Sequence, residues 1–208
     1  MTNFFQLRNP LICVLIYVTY LSVPPNSVPL PDFLLEVVMV ALMVFVLRDS
    51  LWENFQYTRT MSLLRFLMFC IGGFLFTQIL FFSGVSLFIA ISGSETSDNQ
   101  AAVMETIAQK NIIATFLTIA VVGPVLEELV FRKSIFDIGN VIKVPFAVTL
   151  LISATLFGLV HVIFSGDWLG SIPYIFMGLG FGLVYHFSRS FIVVAIVHML
   201  SNTPAFFT

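Results

Sequence analysis

Long apolar runs separated by short polar stretches dominate the chain. Several runs approach or exceed the roughly 18–20 residues that a helix needs to cross a bilayer. The pattern therefore predicts an all-α, polytopic membrane bundle with about seven, or else eight, transmembrane helices in one domain, residues 1–208. The predicted helices are 10–23, 32–47, 61–92, 111–135, 145–164, 171–187 and 191–202.

The prolines, capping residues and polar stretches between these runs predict where the helices begin and end. The first run is short and is predicted to start at Pro10, while the prolines at 24, 25, 29 and 31 end any helix. Asp32 is a suitable N-cap for the second helix, which we expect to stop before a polar connection at 48–60. The third run predicts one long tilted helix, and the fourth is predicted to be interrupted at Gly123-Pro124.

Composition supports the membrane class. Hydrophobic residues make up 59% of the chain and charged residues 10%, whereas soluble domains are about a quarter charged. A net charge of −2 without a basic patch gives no reason to expect a nucleic-acid partner. Cys13 and Cys70 fall inside apolar runs, where cysteine behaves as a small hydrophobic residue.

The distribution of basic residues predicts the orientation of a multi-pass protein in the cell membrane. With a cytoplasmic N-terminus, eight of the nine basic residues fall on the cytoplasmic side, and Lys110 alone falls outside. The eight are Arg8, Arg48, Arg59, Arg65, Arg132, Lys133, Lys143 and Arg189.

Three other polar or small-residue features have simple structural interpretations. The alternating glycines of 178–182 predict close helix packing, since small residues let membrane helices approach each other. His186 is flanked by Tyr185 and Phe187 and is interpreted as a packing residue. Glu36 lies near a predicted helix end and is expected to reach the membrane interface.

Polar side chains in the last four runs are few, and ionisable groups at membrane depth mark functional sites by default. Adjacent helical positions differ by about 100°, so Glu127 and Glu128 point in different directions. Arg132 follows Glu128 at the spacing that lets helical side chains meet, which leaves Glu127 available. The polar residues of interest are Glu127, Glu128, His161, His198 and Asn202.

These residue types suit hydrolysis. A carboxylate in a dry pocket can act as a general base on water, assisted by a histidine, and a second histidine with an asparagine can stabilise an oxyanion. Two histidines and a glutamate also suit Zn²⁺ with a bound water. The residues leave both mechanisms open, and the Glu–Arg pair or a single histidine also has a purely structural interpretation.

Three spaced motifs resemble those of the CPBP intramembrane proteases. They are Glu127-Glu128-x-x-x-Arg132, Phe157-x-x-x-His161 and His198-x-x-x-Asn202. This family includes the type II prenyl-CAAX endopeptidases and the bacterial Abi-type and lysostaphin-resistance-protein-A-like proteins. The resemblance covers about 115–204, so we expect the catalytic helices within 111–204, whereas the helices of 10–92 carry no matching motif.

The resemblance implies a role for each matching residue. Glu127 corresponds to the glutamate that activates water, with assistance from His161, and Glu128 and Arg132 correspond to its supporting pair. His198 and Asn202 correspond to the residues that stabilise the oxyanion, and Phe157 corresponds to the aromatic residue one turn before His161. No cofactor is favoured, because the sequence shows no second partner for either histidine. If the enzyme is metal-dependent, the expected zinc ligands are Glu127, His161 and His198.

The resemblance also bounds the function. It implies an endopeptidase that cleaves a membrane-associated peptide or a membrane protein, and a prenylated substrate is not assumed. The alternative is a non-proteolytic bacteriocin-immunity or scaffold protein that uses the same helices to bind a partner. A proton-coupled transporter is disfavoured because the sequence shows no inverted repeat.

Helix geometry raises one difficulty for this site. Counting residues from the predicted helix ends places Glu127 roughly 25 Å and His161 about 3 Å from the outer surface. Straight, perpendicular helices do not bring these residues together. A tilt, a break at Gly123-Pro124, a re-entrant start to the fifth helix or wrongly placed helix ends would reconcile them.

Overall fold

The regular structure of the chain is helical throughout residues 2–23 and 32–207, which the computed structural model describes. The proline cluster between residues 24 and 31 lies outside these ranges. Short 3-10 turns at Trp168–Gly170 and Thr203–Phe206 flank the last two long helices. The helices are α1 Thr2–Leu21, α2 Asp32–Arg59, α3 Leu63–Ser92, α4 Asp98–Gln109, α5 Ile112–Val141, α6 Phe146–Val160, α7 Ser171–Ser188 and α8 Phe191–Asn202.

Three stretches within the described residues are long and apolar enough to cross a membrane. They are α3, α5 and the stretch Trp168–Ser188, which contains α7. α6 and the stretch Phe191–Phe206, which begins with α8, are apolar but shorter. The all-α membrane class is therefore confirmed, while the number of seven or eight spans stays a prediction.

The first helix is longer than its sequence pattern predicts. α1 begins at Thr2 and continues through Pro10, so the predicted start at Pro10 is wrong. The side chain of Asn9 donates a hydrogen bond to the carbonyl of Val46 on α2 at 2.9 Å. The ring of Tyr17 packs edge-on against Phe131 of α5, with 5.5 Å between centroids. These contacts fasten the N-terminal helix to the rest of the bundle.

The second helix also continues beyond its prediction. α2 runs to Arg59, and the polar connection predicted at 48–60 is almost entirely helical. Asn54 donates to the carbonyl of Arg189 and accepts from the backbone N–H of Phe191. These bonds hold the polar end of α2 against the turn between α7 and α8. Distant partners therefore stabilise a segment whose polarity alone predicts a loop.

The long third helix is confirmed. α3 contains 30 residues and is about 45 Å long at the helical rise per residue. The hydroxyl of Ser62 caps its N-terminus, and Gly93 ends it with a φ of 71°. The polar stretch that follows folds into the amphipathic helix α4.

α5 is continuous, so the interruption predicted at Gly123-Pro124 is wrong. A π-helical turn at Leu117–Val122 precedes this pair, and a second lies at Leu129–Ser134. The N–H of Gly123 donates to the carbonyl of Thr118, five residues earlier. Such π-turns occur often at functional sites, and these two flank the Glu127-Glu128 pair.

The connection between α5 and α6 removes the depth difficulty. α5 ends at Val141 instead of 135, and α6 ends at Val160 instead of 164. Counted from their shared turn, Glu127 lies about 21 Å and His161 about 22 Å along these two helices. The two residues are therefore at similar depth in an antiparallel pair.

Two of the basic residues that the predicted orientation counts on the cytoplasmic side are buried. Arg132 is 0% and Lys133 is 5% exposed, so both lie inside the bundle and neither marks a helix end. They do not count toward the predicted orientation, which stays a prediction.

α7 packs closely between α3 and α6, as its glycines predict. A Cβ on Gly178 would lie 3.0 Å from the Cα of Ala154 on α6, and one on Gly180 would lie 2.9 Å from the hydroxyl of Thr77 on α3. His186 stacks on Phe146 with 3.7 Å between ring centroids. Both packing predictions are confirmed.

Candidate active site

A cavity of about 400 Å³ lies between the helices near the midpoint of α5. We call it the central cavity. Its wall contains five of the residues that the sequence motifs single out, namely Glu127, Phe157, His161, His198 and Asn202. Asn99, Gln100 and Val103 of α4 also line it, so the cavity extends toward the end of the bundle that carries α4.

Glu127 faces the two histidines. Its Oε1 lies 3.9 Å from Nε2 of His161, and its Oε2 lies 3.5 Å from Nε2 of His198. Its side chain is 19% exposed, and this exposed part is on the cavity wall. Gaps of this length between polar atoms suit bridging by a water molecule.

Glu128 points away from the cavity and is fully buried. Its Oε1 lies 3.0 Å from Nη1 of Arg132, so the predicted pair is confirmed. The same oxygen accepts a hydrogen bond from Nδ1 of His198 at 2.7 Å. One imidazole therefore contacts both neighbouring carboxylates, a link that helical spacing did not predict.

Aromatic rings enclose the guanidinium of Arg132. Its Cζ lies 4.4 Å from the ring centroid of Phe157 and 5.1 Å from that of Phe181, within the range of cation–π attraction. Its Nη2 donates to the carbonyl of Gly178 at 3.3 Å. These contacts stabilise a charge that is wholly withdrawn from solvent, and the motifs gave no sign of Phe181.

Two contacts fix the orientation of the His161 ring. Its Nδ1 donates to the carbonyl of Phe157 at 2.7 Å, because a carbonyl oxygen can only accept. The ring stacks on Tyr174 with 4.4 Å between centroids and 11° between planes. In the neutral ring, Nε2 therefore presents a lone pair toward Glu127.

His198 is held in the same way. Its Nδ1 donates to Glu128, and its ring stacks on Phe181 with 4.2 Å between centroids. Each histidine therefore has a partner at Nδ1, so the sequence argument that disfavoured a metal on this ground is wrong. The donor types suit zinc, but in residues 2–23 and 32–207 no three His, Cys, Asp or Glu side chains form a group that could hold a metal ion.

Asn202 has a structural contact as well as a place on the cavity wall. In the π-register set by Gly123, the next donor to the carbonyl of Ile119 would be Pro124, which has no N–H. Nδ2 of Asn202 donates to this carbonyl instead, at 2.9 Å. An amide nitrogen carries two hydrogens, so one remains available to the cavity.

Glu36 lines the central cavity, so its predicted place at the membrane interface is wrong. It is 7% exposed and lines the central cavity, whereas we expected it at the membrane interface. The hydroxyl of Tyr20 donates to its Oε1 at 3.1 Å. The signal that points to it is the one used for Glu127, an acidic residue within an apolar run.

Tyr174 connects the cavity to α4. Nδ2 of Asn99 donates to its hydroxyl at 2.8 Å, while the ring lies against His161. The N–H of Asp98 donates to the carboxylate of Asp167, in the segment that follows His161. An aromatic residue in an apolar run is indistinguishable from a core residue by pattern, so no motif singles out Tyr174.

Known proteins resemble the part of the chain that contains this geometry. A family model described as "Type II CAAX prenyl endopeptidase Rce1-like" matches residues 109–204. The "Membrane-embedded CAAX protease MroQ" of Staphylococcus aureus (strain USA300) is 35% identical over 111 residues, which cover 53% of this chain and 44% of that protein.

Two further relatives extend the comparison. The "Putative membrane peptidase YdiL" of Bacillus subtilis (strain 168) is 27% identical over 167 residues, 79% of this chain and 65% of that protein. The "UPF0177 protein YxdF" of Lactococcus lactis subsp. lactis (strain IL1403) is 36% identical over 112 residues, 54% of this chain and 58% of that protein. The chain thus spans less than two thirds of the length of each relative. No solved structure matches it significantly.

Proposed function

Because the chain belongs, through residues 109–204, to the CPBP family of membrane proteases, we propose that it is a membrane-embedded endopeptidase. Its substrate is a peptide bond in a membrane-associated peptide or a membrane protein. The observation that carries the proposal is the position of Glu127, whose carboxylate faces Nε2 of His161 and of His198 on the wall of the central cavity.

Glu127 acts as the general base. A water between its Oε1 and Nε2 of His161 donates one hydrogen bond to each, since the fixed Nδ1–H of His161 leaves Nε2 as an acceptor. Transfer of a proton to Glu127 lets the water oxygen attack the peptide carbonyl. Glu127 then returns this proton to the leaving amine, so no proton is gained or lost over the cycle.

His198 and Asn202 stabilise the oxyanion. Nδ1 of His198 already donates its hydrogen to Glu128. His198 can therefore donate from Nε2 only when its ring carries a second proton. Asn202 contributes the N–H that Ile119 does not use. Donors fixed in place before the reaction stabilise the developing charge without reorganisation.

The test compares the wild type with Glu127→Gln in proteoliposomes. Synthetic amphipathic peptides are incubated in H₂¹⁸O, and the products are identified by mass spectrometry. We expect the wild type to release fragments with ¹⁸O in the new carboxyl terminus, and Glu127→Gln to be slower by about 10²–10⁴-fold. Glu95→Gln, an exposed carboxylate outside the cavity, is the matched control and should behave as the wild type.

Two outcomes contradict the proposal. Equal rates for the wild type and Glu127→Gln would exclude this residue as the base. Specific, saturable peptide binding by the wild type with no cleavage would favour the alternative of a non-proteolytic immunity or scaffold protein.

A further inference from the structure

Gln78 places an amide in the middle of α3, the most apolar of the three membrane-length stretches in the described part of the chain. It is the only glutamine or asparagine on this helix. Its side chain lines the central cavity together with those of Phe81 and Phe82. Because these residues stand three and four positions after Gln78, they share one face of the helix with it. This face of α3 therefore forms part of the cavity wall.

Ring contacts connect this face of α3 to the proposed catalytic residues. The ring of Phe81 lies 6.4 Å from that of Tyr174, measured between centroids, and Tyr174 stacks on His161. Nε2 of His161 in turn faces the carboxylate of Glu127. Gln78 and Glu127 thus line the same cavity from two helices, and a peptide that binds between α3 and α5 contacts both.

The amide of Gln78 does not hold the described helices together. Polar side chains in membrane helices commonly form hydrogen bonds to a neighbouring helix. Two other amides on this wall do so, since Asn99 donates to the hydroxyl of Tyr174 and Asn202 donates to the carbonyl of Ile119. Gln78 makes no hydrogen bond to any residue that the structure describes. An amide without hydrogen bonds is costly in apolar surroundings, so helix packing does not explain its presence.

Gln100 is a second glutamine on this wall, and its surroundings differ. Its side chain also makes no hydrogen bond within residues 2–23 and 32–207. Gln100 belongs to α4, however, and polar residues are usual on one face of an amphipathic helix. Gln78 belongs to a helix long and apolar enough to cross the membrane. An amide at its midpoint is therefore the stronger indication of a ligand.

The hydrogen-bonding groups of glutamine match those of a peptide unit. Its Oε1 accepts hydrogen bonds and its Nε2 donates them. A helical substrate satisfies its own N–H and C=O groups within the helix. When the segment around the cleaved bond unwinds, these groups lose their partners, and unpaired backbone groups are costly at membrane depth. An amide on the cavity wall can replace part of what the substrate loses.

We propose that Gln78 binds the main chain of the substrate, through hydrogen bonds to one peptide unit close to the cleaved bond. Every residue except proline carries the same backbone N–H and C=O groups. The contact therefore selects an unwound segment rather than a particular side chain, and proline is disfavoured at the position whose N–H is bound. The inference rests on the proposed function because it assigns a binding residue to the same site.

The experiment combines Gln78→Met with substrates that carry a backbone ester. Methionine keeps an unbranched side chain of similar size and removes the amide. Each ester peptide replaces one N–H near the cleaved bond, but not at it, by oxygen. In proteoliposomes, we expect Gln78→Met to lower kcat/KM for the all-amide peptide by roughly 2–10-fold, the range for one neutral hydrogen bond. At one ester position the variant should cause no further loss, because the contact is already absent there.

Gln56→Met is the matched control. Gln56 is an exposed glutamine on α2, outside the central cavity, and its replacement should leave kcat/KM unchanged for every peptide. Most of the loss in Gln78→Met should be in KM, as expected when a contact serves binding in the ground state and the transition state alike. An unchanged kcat/KM in folded Gln78→Met overturns the proposal. An equal loss at every ester position also overturns it, because no single peptide unit would then be bound.

A binding measurement separates this inference from the proposed function. Dissociation constants of the fluorescent all-amide peptide and of the ester series are measured on Glu127→Gln protein, with and without Gln78→Met. Weaker binding of the all-amide peptide by the double variant, with no difference at one ester position, supports the contact even if the wild type cleaves nothing. Equal binding of the all-amide peptide by both proteins contradicts the contact even if the wild type is an active protease.

Discussion

Two of the cavities lined by the described residues differ in how their charged side chains are arranged. The central cavity holds Glu127 and Glu36 with no lysine or arginine on its described wall. The second cavity, of about 840 Å³, lies toward the α5–α6 turn, and we call it the distal cavity. Its charged lining residues are Asp49, Glu53, Lys133, Asp137, Lys143 and Arg189.

The distal cavity balances three acids with three bases, and Lys133 forms an ion pair with Asp137. In the central cavity, Arg132 lies behind the wall, and the carboxylate of Glu127 faces two histidines across the space. An ionisable group that faces a cleft, as Glu127 does, marks a candidate functional site, whereas ion pairs such as Lys133–Asp137 are often structural. The difference favours the central cavity as the reaction site.

The largest expected effect is on the free energy of unfolding, when the neighbouring basic residues Arg132 and Lys133 are each replaced. Arg132→Met leaves Glu128 buried with a charge and no guanidinium, so we expect unfolding free energy to fall by about 3–5 kcal/mol. Lys133→Met breaks a pair whose acid is 25% exposed, and we expect a loss of about 1 kcal/mol or less. Reversible denaturation in detergent micelles measures both. Equal losses would show that the two environments do not differ as described.

A smaller effect is expected at two tyrosines, one beside each cavity. Tyr174→Leu removes the ring that stacks on His161, and an aromatic pair of this kind is worth about 0.5–1.5 kcal/mol. We therefore expect kcat to fall by roughly 2–10-fold with little change in KM. Tyr174→Phe keeps the stack and should restore most of kcat.

Tyr185 of the distal cavity packs edge-on against Phe136 and supplies the control. Tyr185→Leu should lower stability without changing kcat per folded molecule. A proportional loss of kcat in both leucine variants would mean that Tyr174 acts through general packing rather than by positioning His161.

The smallest expected effect is that of metal removal on the cleavage rate. The proposed mechanism has no metal step, so dialysis against a chelator should leave the cleavage rate unchanged, and purified protein should contain no stoichiometric zinc. Elemental analysis of the wild type and His161→Ala provides the check. Stoichiometric zinc in the wild type, lost in the variant together with activity, would instead support the ligand set Glu127, His161 and His198.

Local spacing predicted the parts of the fold that depend on one helix alone. The bounds of α8, the single long α3 and the Glu128–Arg132 pair agree with the structure. Helix ends in polar or proline-containing segments did not follow from spacing. α2 extends to Arg59 because Asn54 bonds to residues more than 130 positions away. No local pattern contains that information.

The sequence by itself determined that this is a helical membrane protein and that Glu128 pairs with Arg132. These features follow from hydrophobicity and helical geometry, which act between near neighbours in the chain. Only the tertiary structure decided that His198 joins both carboxylates and that Glu36 faces the same cavity as Glu127. Such contacts join residues 70 or more positions apart, and packing between helices sets them.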